Sequence, residues 1–482
     1  MDQARSGASR IFTITAIESR DEWDEKIDRA YCVLQSYIAD LSEKEAHDAL
    51  TSAVCKDAKT HEDVCVGLTY SILTDPPNAA RSYRDLTFVS RDGLSLVLAY
   101  LVQLVADRFP RLLDTARAQL LWLLKELMRA NVNGTDNLIW NLMRQIAGGD
   151  ISPKNLWLAE SLIDLFSDQR VFLDKFPFVV ASAVYTYLRL IEDHLGPSHA
   201  QLRQKEVNFC ITMLREKFND CMTIGRDLVR LLHNVARIPE FELVWKDILH
   251  NPKSLSPSFT GLLQLMQIRT SRRFLFLRLT PDMEKKMVFL TSNVRFGNQK
   301  RYQEWFQRQY LSTVESQSLR CDLIRFIVGV IHPSNEVLCS EIIPRWAVLG
   351  WLLTTCTHPV AAANAKMALF YDWLFYDAER DNIMNIEPAI LVMYHSMRSH
   401  PVITATLLDF LCRIIPNFYP PMAAQVRQGI WTSLRQILDK RVLPSLSPLM
   451  DNPKLDKELL VLVQDSFPEF CSATQNSPPS QD

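Results

Sequence analysis

Apolar residues recur along most of this chain at steps of three and four. From position 21 the text reads DEWDEKIDRAYCVLQSYIADL, in which Trp23, Ile27, Tyr31, Leu34, Ile38 and Leu41 share one face of a helix. The acids at its start (Asp21, Glu22, Asp24, Glu25) suit the positive end of a helix dipole. The same periodicity predicts helices over 43–55, 61–74, 92–108, 114–130, 135–147, 154–167, 177–194, 199–218, 221–236, 240–250 and 257–269. Most are joined by short turns carrying Pro, Gly, Asn or Asp. Strict alternation is nearly absent; the exception, 274–279, is ambiguous between helix and strand. The pattern therefore predicts an all-α protein.

A weak recurrence suggests how the helices assemble. His358-Pro359-Val360 opens one proline-started apolar helix, and 42 positions later His400-Pro401-Val402 opens another; His332-Pro333 opens a third. A period near 42 falls within the roughly 40–47 residues of HEAT or armadillo helix pairs, each of which buries its apolar face only against its neighbours. The expected fold is a superhelical stack of antiparallel helix pairs, a HEAT/armadillo-like α-solenoid. We expect a flexible N-terminus over 1–14, a helical repeat region over 15–275, a HEAT-like region continuous with it over 276–471, and a polar, Pro/Ser-rich disordered tail over 472–482.

Composition narrows the function classes. Only 13 of 482 residues are glycine, too few for the tight turns of sheet-rich or nucleotide-binding folds, whereas helices need few. The net charge of −2 provides no global field for nucleic acid or an anionic membrane, so any such binding has to be local. Ten cysteines are scattered without a CxxC pair, mostly inside apolar helical patterns, as in a reducing compartment. The longest apolar run, near 94–106, is too short to span a bilayer, and the first ten residues hold no apolar signal region. These features predict a soluble intracellular chain with no membrane contact.

Catalytic signatures are missing. There is no GxxxxGK[ST], GxGxxG, GxSxG, HExxH or HRD motif. Cys55, His61 and Cys65 are the best metal candidates, but three soft ligands without a fourth nearby fit core cysteines beside a surface histidine better. His194 and His199 read as helix-end residues flanking a Gly-Pro turn. The 21–25 carboxylates read as a solvated helix start, since no apolar pocket surrounds them to raise a pKa. Neither an enzyme activity nor a catalytic, cofactor or metal site is expected.

One constellation stands out. Between positions 269 and 308 there are ten basic and three acidic side chains, a local charge of +7, interleaved with Phe274, Phe276, Phe289, Phe296, Tyr302, Trp305 and Phe306. Arg269, Arg272, Arg273, Lys285, Lys286, Arg295, Lys300, Arg301, Trp305 and Arg308 are the candidate partner-binding residues. Three readings stay open: a solvated face over an ordinary core, a docking surface for an acidic protein, and a single-strand nucleic-acid track in which rings stack on bases. Thr280-Pro281-Asp282 reads as an N-cap with proline at the first helical position. Residues 18–48 carry the opposite sign, ten acids against four bases.

Long segments resemble a known family. SRDEWDEKIDRAYCVLQSYIADLSEKEAHDAL, ILTDPPNAARSYRDLTFVSRDGL, NVNGTDNLIWNLMRQIAGGDISPKNLWLAESLIDLF and the run from FGNQKRYQEWF through IIPRWAVLGWLL are similar to the N-terminal half of the Integrator complex subunit 3 family, whose members also form the large subunit of the SOSS complex. The resemblance implies a nuclear, non-enzymatic scaffold. It implies three kinds of partner: the OB-fold protein of SOSS that holds single-stranded DNA, the small SOSS subunit, and other Integrator subunits. It further implies roles in the DNA damage response and homologous recombination, in small nuclear RNA 3′-end processing and in transcription termination. On this reading single-stranded DNA is reached indirectly, through the OB-fold protein, and direct binding through 269–310 is the alternative. Family members continue into a second helical half, whose functions do not transfer to this chain.

Overall fold

The helix Ala58–Thr74 illustrates how the periodic text becomes structure in the computed structural model, which describes residues 9–13 and 22–472. Asp57 caps its start by accepting from the Thr60 amide at 2.7 Å. Its inward face packs against the helices Glu22–Ile38, Ala79–Val89, Ser95–Arg108 and Asp114–Arg129. Gly67 sits at the crossing with Glu22–Ile38: a Cβ there would lie 2.8 Å from the Ala30 carbonyl oxygen and 2.8 Å from the Leu34 Cβ.

The chain divides into two compact units, Met1–Ile146 with Pro153–Val184, and Ala147–Ser152 with Tyr185–Asp482. In the first unit, Ile27, Leu34, Val64, Ile72, Leu86, Leu101, Leu120 and Leu124 are buried. Ser42 and Glu45 form a reciprocal capping box at the start of Glu43–Ala53. Ile11 and Phe12 are also buried, and the Thr13 amide donates to the Arg111 carbonyl at 2.8 Å. Most of the expected N-terminal flexible segment and nearly all of the 472–482 tail lie outside the described residues.

The second unit stacks alternate helices. Leu319–Gly329 packs on Pro359–Phe370, Arg345–Thr354 on Glu387–Ser399, and Pro401–Asn417 on Glu387–Ser399, Ala423–Asp439 and Lys457–Ser466. Both helices opened by the His-Pro-Val recurrence exist, each with proline at its first position, and they touch one another. Each helix thus buries its apolar side against neighbours close in sequence, as a repeat stack requires. Among the described residues there is no strand, only the isolated bridges Phe12–Leu112 and Arg295–Ile342. The all-α fold of stacked helix pairs read from the sequence holds within each unit.

The differences have local causes. The expected 221–236 helix breaks at Gly225, whose φ of +76° ends one short helix at Met222 before Arg226–Asn234 begins. The ambiguous 274–279 segment is a helical turn, Arg272–Leu275, followed by a 3₁₀ turn. Among the described residues no single helix is long and apolar enough to cross a membrane; one bent pair, Pro401–Asn417 with Pro420–Asp439, passes by length and composition, but its Leu407, Leu411, Val426, Ile430 and Leu434 are core.

Candidate protein-docking surface

The basic and aromatic text folds into a helical hairpin in the second unit. Its first helix, Pro281–Asn293, begins as the sequence indicates: Thr280 Oγ1 accepts from the Met283 amide at 3.3 Å, and Pro281 occupies the first turn. Met283, Met287 and Leu290 point into the core, which leaves Lys285, Val288 and Phe289 outside. The chain then extends to pair with 341–343, the Ile343 amide donating to the Val294 carbonyl at 2.9 Å and the Phe296 amide to the Glu341 carbonyl at 2.7 Å. Gly297, at φ +103°, turns it into the second helix, Lys300–Tyr310.

The hairpin is braced from within. Tyr310 donates its hydroxyl to Asp282, which also pairs with Lys286 at 2.7 Å. Burial alone would raise the Asp282 carboxyl, yet these two bonds hold it below its ordinary value. Phe306 is the buried residue of the second helix and meets Tyr310 at 4.8 Å and Trp351 at 6.1 Å between ring centroids. Between the helices lies a cavity of about 230 Å³, with Phe289, Leu290, Tyr302, Trp305 and Phe306 as its apolar wall and Lys285 and Lys286 at its edge. Phe289 is 47% and Trp305 41% exposed. Lys286 sits 5.3 Å from the Trp305 ring centroid, and Phe289 and Tyr302 lie 5.9 Å apart with planes tilted by 51°.

The sequence candidates therefore separate into three places. Lys285, Lys286 and Trp305 meet at the hairpin cavity, with Lys300, Arg301 and Arg308 exposed on the same helix as Trp305. Lys300 is 3.9 Å from Glu304, and Arg301 lies over Tyr302 at 4.8 Å. Arg295 lines a different groove, facing Glu341 at 3.6 Å near Phe296 and Trp346. Arg269 lines a third cavity and pairs with Asp381 at 3.0 Å, while Arg272 donates to His332 Nδ1 at 2.7 Å and Arg273 is exposed.

One member of the basic run belongs to the interior. Arg278 is buried, bonded to Tyr185 and to Asp322, and Asp322 also receives Arg189, which pairs with Asp193. A second buried cluster adjoins it: Asp227 pairs with Arg230 at 3.2 Å and Arg325 at 3.3 Å, and Arg325 reaches Asp372 at 2.9 Å. Burial opposes ionisation here, but the facing guanidiniums win and hold Asp227 at about 2 and Asp322 below its ordinary value. Sequence reasoning missed this network. Its trace is visible in LRCDLIRFIVG, where Arg320, Asp322 and Arg325 interrupt an otherwise apolar helix whose residues are all buried.

Two other expectations change. Asp24 does not belong to a solvated helix start: it is 2% exposed and accepts from Ser9 Oγ at 3.2 Å. His194 is buried against Glu206 at 2.9 Å, so it is a core partner as well as a helix-end residue. At the cysteine candidates, His61 Nε2 lies 3.6 Å from Cys65 Sγ and Cys55 faces the Arg91 guanidinium; among the described residues no three ligating side chains converge.

Comparison with known proteins places this geometry in context. A family model described as Integrator complex subunit 3 N-terminal matches residues 59–465. The chain is 60% identical over 474 residues to Integrator complex subunit 3 of Mus musculus, covering 98% of this chain and 45% of that protein. It is 60% identical over 475 residues to the Homo sapiens protein (98% and 45%) and 61% over 472 residues to that of Danio rerio (98% and 46%). The chain spans about half the length of the relatives it matches, and neither the family nor the relatives' names indicate an enzyme.

Proposed function

Because this chain belongs to the Integrator complex subunit 3 family, we propose that it is the N-terminal, non-enzymatic scaffold of that nuclear assembly, holding other Integrator subunits in the machinery for small nuclear RNA 3′-end processing and transcription termination. In the same role it serves the SOSS single-stranded-DNA sensor, bridging the OB-fold DNA-binding protein and the small SOSS subunit in the response to double-strand breaks and their repair by homologous recombination. The observation that supports docking most is the hairpin 281–310, where exposed Phe289 and Trp305 stand beside Lys285 and Lys286 on two braced helices, with Arg301 over Tyr302 on the second. Rigid helices presenting amphipathic rings and cations are the ingredients of an interface centre. An OB-fold partner brings its own stacking platform and cationic groove, so the scaffold does not need to supply a second one.

Binding of the purified OB-fold protein to the wild-type chain and to a Lys300→Glu/Arg301→Glu/Arg308→Glu variant, measured by biolayer interferometry at two salt concentrations, tests this. We expect wild-type binding to persist at moderate salt and the variant to associate at least fivefold more slowly, because rim charges act mainly on the on-rate. No binding by the wild-type chain would refute the scaffold reading for this half of the family's protein. The alternative, direct binding of single-stranded nucleic acid through 269–310, draws on the same rings and cations. It requires saturable DNA binding by the chain alone, weakening steeply with salt.

A further inference from the structure

Resting on the docking reading, we infer that the cavity between Pro281–Asn293 and Lys300–Tyr310 is a slot for one apolar side chain of a partner peptide, carried in an acidic segment. At about 230 Å³ the space fits a single phenylalanine- or leucine-sized group, and its wall is apolar: Phe289, Leu290, Tyr302, Trp305 and Phe306. The base is fixed, since Phe306 and Leu290 are both 3% exposed, while Phe289 and Trp305 stand half exposed at the mouth. An anchor entering between them removes apolar surface of both partners from water, which is the dominant gain in association.

The rim sets the sign of the partner. Lys285 and Lys286 flank the mouth, and Arg301 and Arg308 lie exposed on the opposite helix. The acids on these two helices are themselves opposed by cations or neighbours: Asp282 is engaged by Lys286 and Tyr310, Glu304 lies 3.9 Å from Lys300, and Glu284 stands beside Lys285 in the sequence. Carboxylates on either side of the anchor therefore meet cations on both helices.

The same observations favour a peptide over a nucleic-acid strand. Rings that stack successive bases must offer accessible parallel faces; here Phe289 and Tyr302 are tilted by 51°, Trp305 and Tyr310 by 82°, and one face of Trp305 is covered by Lys286. Cations elsewhere in the run are engaged locally, Arg295 with Glu341, Arg269 with Asp381 and Arg272 with His332. They do not continue the slot as a phosphate track.

The test titrates the whole chain into a fluorescein-labelled heptapeptide with one central phenylalanine among six aspartates and glutamates, read by fluorescence anisotropy. A second peptide carries alanine at the centre, and a third probe is a labelled oligothymidine. We expect saturable binding of the phenylalanine peptide, at least tenfold weaker binding of the alanine peptide, and at least tenfold loss with Trp305→Ala or with Lys285→Glu/Lys286→Glu. Lys440→Glu, an exposed charge reversal elsewhere, should leave binding unchanged. Unchanged thermal melting of the variants separates loss of the slot from loss of the fold. Equal binding of both peptides, no binding of either, or oligothymidine outcompeting the peptide would overturn the slot. A chain that holds the OB-fold protein but ignores the peptide loses the slot and keeps the scaffold role; one that binds the peptide but not the OB-fold protein does the reverse.

Discussion

Replacing Asp322 with alanine tests whether the buried charge network holds the second unit together. Its carboxylate is the shared partner of Arg189 and Arg278, all three nearly inaccessible to water. Removing it leaves Arg189 with Asp193, and Arg278 with Tyr185, two guanidiniums where the geometry provided one more anion. Breaking a buried ion pair from one side costs about 3–5 kcal/mol, because the remaining charge stays desolvated. With a urea dependence of about 3 kcal/mol per molar for a unit of this size, the midpoint should fall by about 1–1.7 M. Lys300→Ala is the internal control: its pair with Glu304 spans 3.9 Å in solvent and should shift the midpoint hardly at all. Circular dichroism across a urea series gives both values. A midpoint for Asp322→Ala within about 0.2 M of wild type at unchanged slope would show that the network does not contribute as argued.

Three further outcomes follow from the same geometry. Asp227 is held at about 2 by Arg325 and Arg230 against its burial, so its contribution, about 2 kcal/mol, is complete above the ordinary carboxyl range near 4 and lost as pH falls towards 2; the urea midpoint should drop over that window, and Asp227→Asn should flatten the drop. Gly225→Ala should destabilise by about 1–3 kcal/mol, since a Cβ would approach the Ile268 carbonyl oxygen to 2.5 Å at a φ of +76°; a Tm close to wild type would contradict this. Thr280→Ala removes the cap of the hairpin's first helix and should cost about 1 kcal/mol in urea unfolding, with faster amide exchange at Met283 as the local signature.

Much of the fold is legible because helical amphipathicity needs only local spacing. The faces at Ile27–Leu34 and at Met283–Leu290 are where the periodicity puts them, and the proline and threonine helix starts are chemical signals readable one residue at a time. The helix Ala79–Val89 escapes this reading: prolines at 76 and 77 signal a break, and its apolar positions are few. Gly225 splits a helix that periodicity alone would continue. The charged interior is less legible still. Arg278 adds to a run of basic text just as Arg273 does, yet one is core and the other exposed, and the distinction comes from Asp322, 44 positions away from Arg278. For the same reason a single stretch of sequence becomes three surfaces: Arg269 is drawn to Asp381, Arg295 to Glu341, and only Lys285, Lys286 and Trp305 meet at the hairpin.

The most direct test of the scaffold role is size-exclusion chromatography with light scattering on this chain mixed with a labelled single strand, with and without the OB-fold protein. The account predicts that the strand co-elutes with the chain only when that protein is present, at the mass of a ternary complex. Co-elution of the strand with the chain alone would contradict it and make the chain itself the reader of nucleic acid.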